Sequence, residues 1–175
     1  MSPSRQWNRR ALAGAIGLAA GMVDATVTVW FPGLFSVIRF ALPGALAITV
    51  FSSLDRALVA AVAAGIVMDV LQPSFGFTPI RLALVCVAVR FISQQYVTNR
   101  SLIGSVALGI VGLLIDRSIL VGATWAHGFI GEAFIPEVHA PLWAEAAWVG
   151  ACMAVLFLLF AAFSKRFLPF FTRRS

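Results

Sequence analysis

Long apolar runs separated by short polar segments dominate this chain and predict membrane-spanning helices. The clearest run, Ala146–Ser164, contains no charged residue. At 1.5 Å per residue it measures about 28 Å, close to the ~30 Å hydrocarbon core of a bilayer. Pro141 lies just ahead of the run, and Lys165 and Arg166 end it. This segment alone indicates an integral membrane protein.

Five further runs share this character, and together the six predict one all-α, polytopic helical bundle over residues 1–175. The predicted spans are 11–31, 34–51, 56–71, 79–97, 101–121 and 143–164. The second span is the least regular, because it contains Arg39 and the pair Pro43-Gly44. It predicts a broken or partly re-entrant helix, which lipid tolerates only where the freed backbone groups face protein.

The distribution of basic residues predicts the orientation. The chain has 13 Lys and Arg against 7 Asp and Glu in a composition that is 61% hydrophobic. Arginines and a lysine cluster at both ends, which predicts two cytoplasmic termini and an even number of crossings. The net charge of +6 suits anionic lipid headgroups as partners. Nucleic acid is not expected, because no basic stripe is interleaved with exposed aromatic residues.

Charged residues also occur inside the apolar runs, and these are the candidate site residues. Each isolated charge in a bilayer costs about 2.5–3.5 kcal/mol on insertion scales, so we expect these groups to neutralise one another or to serve a function. Arginine suits such burial because it binds a carboxylate through two hydrogen bonds. In the predicted topology, three acids and three arginines share the outer half of the bundle: Asp24, Asp69, Asp116, Arg39, Arg81 and Arg117.

Two interpretations of this charged level remain open. The charges either lock the helices together as ion pairs, or they line a polar cavity open to the outside. Asp116 and Arg117 are adjacent and so point about 100° apart on a helix. Each therefore needs a partner on another helix, or water. Arg90, nearer the cytoplasmic side, is expected to extend towards the headgroups.

Small residues precede an acid in the three odd-numbered spans. Gly21 precedes Asp24, Gly65 precedes Asp69, and Gly112 precedes Asp116. Small residues let helix backbones approach closely in lipid. The pattern indicates either ordinary helix packing or one packing face that the odd spans share, with their acids converging at one depth.

Motifs for catalysis and metal binding are missing from the sequence. There is no phosphate-binding loop, no His-Glu-x-x-His pair and no Gly-x-Ser-x-Gly elbow. Cys86 and Cys152 lack ligand spacing and are predicted to be core residues. We therefore expect no catalytic residue, cofactor or metal.

The segment 122–142 is predicted to be an outer loop. It contains His127, Glu132, Glu137 and His139, which we interpret as solvated polar groups rather than a metal site. Its aromatic residues, such as Trp125, predict either an interfacial helix or a cover over a cavity.

The stretch Gly65-Ile-Val-Met-Asp69, followed by a short loop with Gly76 and a new apolar run, has a recognisable shape. It resembles the central region of the rod shape-determining MreD family, over about residues 60–120. The resemblance implies a non-enzymatic protein of the bacterial inner membrane that binds an MreC-like partner. It further implies that the protein acts in the cell-elongation machinery together with the actin-like MreB, the glycosyltransferase RodA and a penicillin-binding transpeptidase. Gly65, Asp69 and Gly76 match the family pattern and are expected to shape the turn between the third and fourth spans.

Two other functions are compatible with the same sequence. Substrate-binding subunits of energy-coupling-factor transporters look much alike at this level, and they would place a ligand in an outward cavity lined by Asp69, Arg81 and Asp116. An enzyme acting on a lipid-linked substrate would instead need the acids and arginines to contact a phosphate.

Overall fold

The described residues form a bundle of six helices, which confirms the all-α prediction. The computed structural model describes residues 3–30, 39–71, 77–96, 101–130 and 141–171, and within these ranges there is no strand. The helices are α1 Pro3–Trp30, α2 Ala41–Phe51, α3 Leu54–Leu71, α4 Thr78–Tyr96, α5 Leu102–Ile130 and α6 Leu142–Phe171. Three of them contain segments long and apolar enough to cross a membrane: Trp7–Val27, Leu102–Ala126 and Leu142–Ala162.

Four helices differ from their predicted spans by seven residues or more. Helix α1 begins at Pro3 rather than at residue 11, and α6 ends at Phe171 rather than at residue 164. Helix α2 begins at Ala41 rather than at residue 34, and residues 31–38 lie outside the described part of the chain. Helix α5 continues past residue 121 to Ile130. Residues 122–130 contain no proline, so helical hydrogen bonding is not interrupted there. The prediction that Trp125 belongs to an outer loop is therefore wrong, because Trp125 lies within α5.

The two helices that pack most extensively against each other run in the same direction. Helices α1 and α3 run parallel, since Gly17 lies against Ala60 and Gly21 lies against Ala64. A Cβ atom added to Gly21 would lie 2.7 Å from the Ala64 carbonyl oxygen. These two backbones thus approach as closely as glycine allows.

Helix α2 is the centre of the bundle. It contacts all five other helices, and eight of its residues are buried: Ala41, Leu42, Pro43, Ala45, Leu46, Ala47, Thr49 and Val50. A helix that is apolar on every side belongs in an interior. At 11 residues, α2 is about 16 Å long, or half the thickness of a hydrocarbon core.

The apolar core surrounds α2, and large apolar side chains also cover the outside of the bundle. Leu46, Val85, Val89 and Met153 are fully buried at the centre. By contrast, Leu158 on α6 is 56% exposed. Outward apolar side chains of this kind are what a lipid-facing surface requires.

Exposed tryptophans lie near both ends of the bundle. Trp7 is near the start of α1, whereas Trp30, Trp125 and Trp143 lie at the opposite end, and each is more than 70% exposed. Trp7 and Trp30 are separated along α1 by about 35 Å. Tryptophan is enriched at both interfaces of a membrane. The spacing therefore fits a bilayer across α1.

Candidate functional site

Asp24, near the end of α1, caps a helix other than its own. Its side chain is almost completely buried, and its carboxylate accepts hydrogen bonds from the backbone N–H groups of Phe40 and Ala41, the second at 2.7 Å. Phe40 is the N-cap residue of α2 and provides no side-chain cap itself. A carboxylate at a helix N-terminus satisfies free N–H groups and complements the helix dipole. Asp24 thus stabilises the start of α2 inside the bundle.

Helix α6 holds the residues that precede α2. The indole Nε1–H of Trp148 donates to the carbonyl oxygen of Arg39 at 3.2 Å. The Phe40 and Trp148 rings meet edge to face, with centroids 5.4 Å apart. Helices α1 and α6 therefore fix the start of α2 from two sides.

Arg90 on α4 binds the opposite end of α2. Its Nη1 donates to the carbonyl oxygens of Thr49 at 3.1 Å and Ser52 at 3.3 Å. We expected Arg90 to extend towards the headgroups, but it contacts protein instead. The last carbonyl groups of α2 have no partner within that helix, and Arg90 provides the donors that they need. Helix α2 consequently has a carboxylate at its N-terminus and a guanidinium at its C-terminus, which is the favourable arrangement for the helix dipole.

Two further ion pairs join α4, α5 and α6. Arg81 Nε lies 3.0 Å from Asp116 Oδ1, and both side chains are buried. Arg117 binds Glu145 through two contacts, Nε to Oε2 at 2.8 Å and Nη2 to Oε1. The prediction that Asp116 and Arg117 have partners on other helices is confirmed.

Glu145 was not among the predicted site residues. It is buried in the first turn of α6. The sequence carried one signal for it, since Glu145 follows Pro141 at the start of a long apolar run and is the acid nearest to that run.

Four of the predicted charged residues meet at one small cavity. Asp24, Arg39, Arg81 and Asp116 line it, together with the apolar side chains of Ala41, Leu42, Met68 and Leu82. The volume is about 10 Å³, which is roughly the space for one water molecule. Two carboxylates and two guanidinium groups balance in charge around it. We call the set Asp24, Arg39, Arg81, Asp116, Arg117 and Glu145 the charged layer.

The residues of the family-like motif lie beside the charged layer. Asp69 is half-buried in the last turn of α3 and does not line the cavity. A Cβ atom on Gly65 would lie 2.5 Å from the Cα of Pro79, so glycine is needed where α3 meets the start of α4. Gly76 lies outside the described residues.

Only two of the three odd-numbered helices share a packing face. Within the described ranges, α5 contacts α2, α4 and α6, but neither α1 nor α3. Asp116 nevertheless reaches the same cavity as Asp24. The acids of α1 and α5 therefore converge across the bundle, not along one common face.

The described residues contain no arrangement typical of a metal site, and their two cysteines are free thiols. No group of three His, Cys, Asp or Glu side chains there is arranged to hold a metal ion. Glu132, Glu137, His139 and the side chain of His127 lie outside that part of the chain. Cys86 is a buried free thiol, as predicted for a core residue, and Cys152 is a half-buried one.

A second concave region is apolar. It is a groove of about 330 Å³ between α3 and α4, and its lining residues are Val62, Pro79, Ile80, Ala83, Leu84 and Val87. Such a surface offers no polar group that would orient a soluble ligand.

Comparison with protein-family models, with characterised proteins and with solved structures finds no match to this chain.

Proposed function

We propose that the protein is a non-enzymatic scaffold of the bacterial inner membrane, of the MreD type, that binds an MreC-like single-span partner. In this role it takes part in cell elongation alongside the actin-like MreB, RodA and a penicillin-binding transpeptidase. Both termini are in the cytoplasm in this proposal, and the charged layer is in the outer half of the membrane.

The main support for a structural rather than a chemical role is that the buried charged groups contact one another or the backbone of the bundle. Arg81 is beside Asp116, Arg117 binds Glu145, and Asp24 binds the backbone of α2. Groups engaged in this way stabilise a bundle, because removing one member of a buried pair leaves the other charge without compensation.

The motif with Gly65 and Asp69 supports the choice of family. Gly65 allows the close contact between α3 and the start of α4, and this is the turn that the family resemblance assigns to the motif. The role requires glycine for its lack of a side chain, not for any reactivity.

A transporter subunit is the less favoured candidate. Small-molecule sites are commonly 300–1,000 Å³ with a few convergent polar groups. The cavity at Asp116 and Arg81 has about 10 Å³, and the larger groove at Val62 and Ile80 has apolar lining residues. Neither combines sufficient volume with polar groups.

The test is co-purification from native membranes with the MreC-like protein of the same organism, combined with depletion of the present protein. We expect the two proteins to purify together and depleted rods to become round. Two results would overturn the proposal. The first is that the two proteins do not purify together and depleted cells keep their rod shape. The second is that a vitamin raises the melting temperature of the purified protein. The same two assays on Leu158→Ala serve as the control, because this change at an outward position of α6 is expected to keep the fold.

A further inference from the structure

The contact between Arg81 and Asp116 is incomplete as a hydrogen bond. The Nε and Oδ1 atoms are 3.0 Å apart, but neither atom makes a hydrogen bond within the protein. The N–H of Arg81 therefore does not point at the carboxylate oxygen. Both residues are more than nine-tenths buried, and an unsatisfied donor or acceptor in such a place destabilises the fold.

The cavity beside these atoms has the size and polarity of a water site. It measures about 10 Å³, and Asp24, Arg39, Arg81 and Asp116 line it. Buried water needs about one probe sphere of space and two to four polar partners. The lining charges cancel, so the site favours a neutral guest over a cation or an anion.

We propose that this cavity is a binding site for a single ordered water molecule. The water accepts the N–H of Arg81 Nε and donates one hydrogen to Asp116 Oδ1. Its second hydrogen goes to the carboxylate of Asp24, which lines the same cavity. The molecule then makes three hydrogen bonds, the usual number for buried water.

The water would join helices whose backbones are not adjacent. Asp24 is on α1 and Asp116 is on α5, and within the described ranges the backbones of these two helices do not pack against each other. One water at this position connects the cap of α2 to the Arg81 pair. The inference stands whether or not the scaffold function is correct, because it rests on the lining groups alone.

Water-edited solid-state NMR of the protein in liposomes, labelled with ¹⁵N-arginine, tests the proposal. We expect polarisation to pass from water to the Nε–H of Arg81. The internal control is the Nε–H of Arg117, which already donates to Glu145 at 2.8 Å. Because the Nη1 of Arg117 is itself buried without a hydrogen-bond partner, we expect its Nε–H to receive less transfer than that of Arg81. No transfer to Arg81 would overturn the proposal, and equal transfer to both arginines would overturn it in favour of a generally hydrated layer.

A variant sharpens the assignment to one site. Asp116→Leu removes one acceptor from the cavity, and we expect the Arg81 signal from water to be lost, whereas Asp116→Asn keeps an acceptor oxygen and retains the signal. A full signal in Asp116→Leu contradicts the proposal. If that variant does not fold, the comparison of Arg81 with Arg117 in the unaltered protein decides the question.

Discussion

Helices α2 and α6 differ in length and in surroundings. Helix α6 has 30 residues, contains a segment long and apolar enough to cross a membrane, and exposes Leu158 and Phe160 on its surface. Helix α2 has 11 residues, is surrounded by protein and has both ends inside or at the edge of the bundle. The ends of α6 can reach polar surroundings. Those of α2 need partners from the protein, and Asp24 and Arg90 supply them.

The difference explains why charges occur in otherwise apolar helices. Lipid cannot satisfy the free N–H and C=O groups of a short helix. A carboxylate from α1 and a guanidinium from α4 do so, and each is stabilised in turn by the helix dipole. Some buried charges of this chain are therefore part of what allows a half-length helix at the centre of the fold.

The largest expected effect comes from removing the cap at the start of α2. Asp24→Ala leaves the N–H groups of Phe40 and Ala41 unsatisfied, which at about 1–3 kcal/mol each gives a loss of roughly 2–6 kcal/mol. Asp24→Asn keeps one acceptor oxygen and should lose clearly less. Unfolding in mixed detergent micelles measures both. Equal stabilities for Asp24→Ala and the unaltered protein would show that the cap is unimportant.

Truncation of matched leucines on the two helices compares an interior with a lipid-facing surface. Leu46 on α2 is fully buried, whereas Leu158 on α6 is 56% exposed. Leu46→Ala should destabilise the protein by about 2–5 kcal/mol through the cavity it creates. Leu158→Ala should change stability by about 0.5 kcal/mol or less. The same unfolding assay applies, and similar losses for the two variants would argue that α2 is not the centre of the bundle.

The donor at the end of α2 should have a smaller effect than the cap at its start. Arg90→Met removes hydrogen bonds to two carbonyl oxygens, at Thr49 and Ser52. Carbonyl groups tolerate loss of one partner better than N–H groups. We therefore expect Arg90→Met to lower the free energy of unfolding by about 1–3 kcal/mol. Arg90→Lys retains a donor and should recover part of it. A larger loss in Arg90→Met than in Asp24→Ala would reverse the order that we expect for the two ends.

The sequence was sufficient to predict the six helices of the described residues, because each apolar run is separated from the next by a short polar segment, although only three of them contain segments long and apolar enough to cross a membrane. It also indicated that Asp24, Arg39, Arg81 and Asp116 occupy a similar depth. The central position of α2 was not predictable, since hydropathy reports that a segment is apolar but not which neighbours surround it. Pro43-Gly44 suggested only an irregular span.

Pairing within the charged layer was only partly predictable for a similar reason. The helical angle between Asp116 and Arg117 required partners on other helices, yet it did not say which ones. Glu145 lies 28 residues from Arg117, and Arg90 lies 41 residues from Thr49. Such contacts depend on how the helices pack, which no local pattern encodes.

Amide hydrogen exchange at the start of α2 tests most directly whether Asp24 holds this helix in place. In the unaltered protein the amides of Phe40 and Ala41 should be strongly protected, and in Asp24→Ala their protection should fall while that of Val149 on α6 is retained. Unchanged protection of Phe40 and Ala41 in a folded Asp24→Ala variant would contradict the role assigned to Asp24.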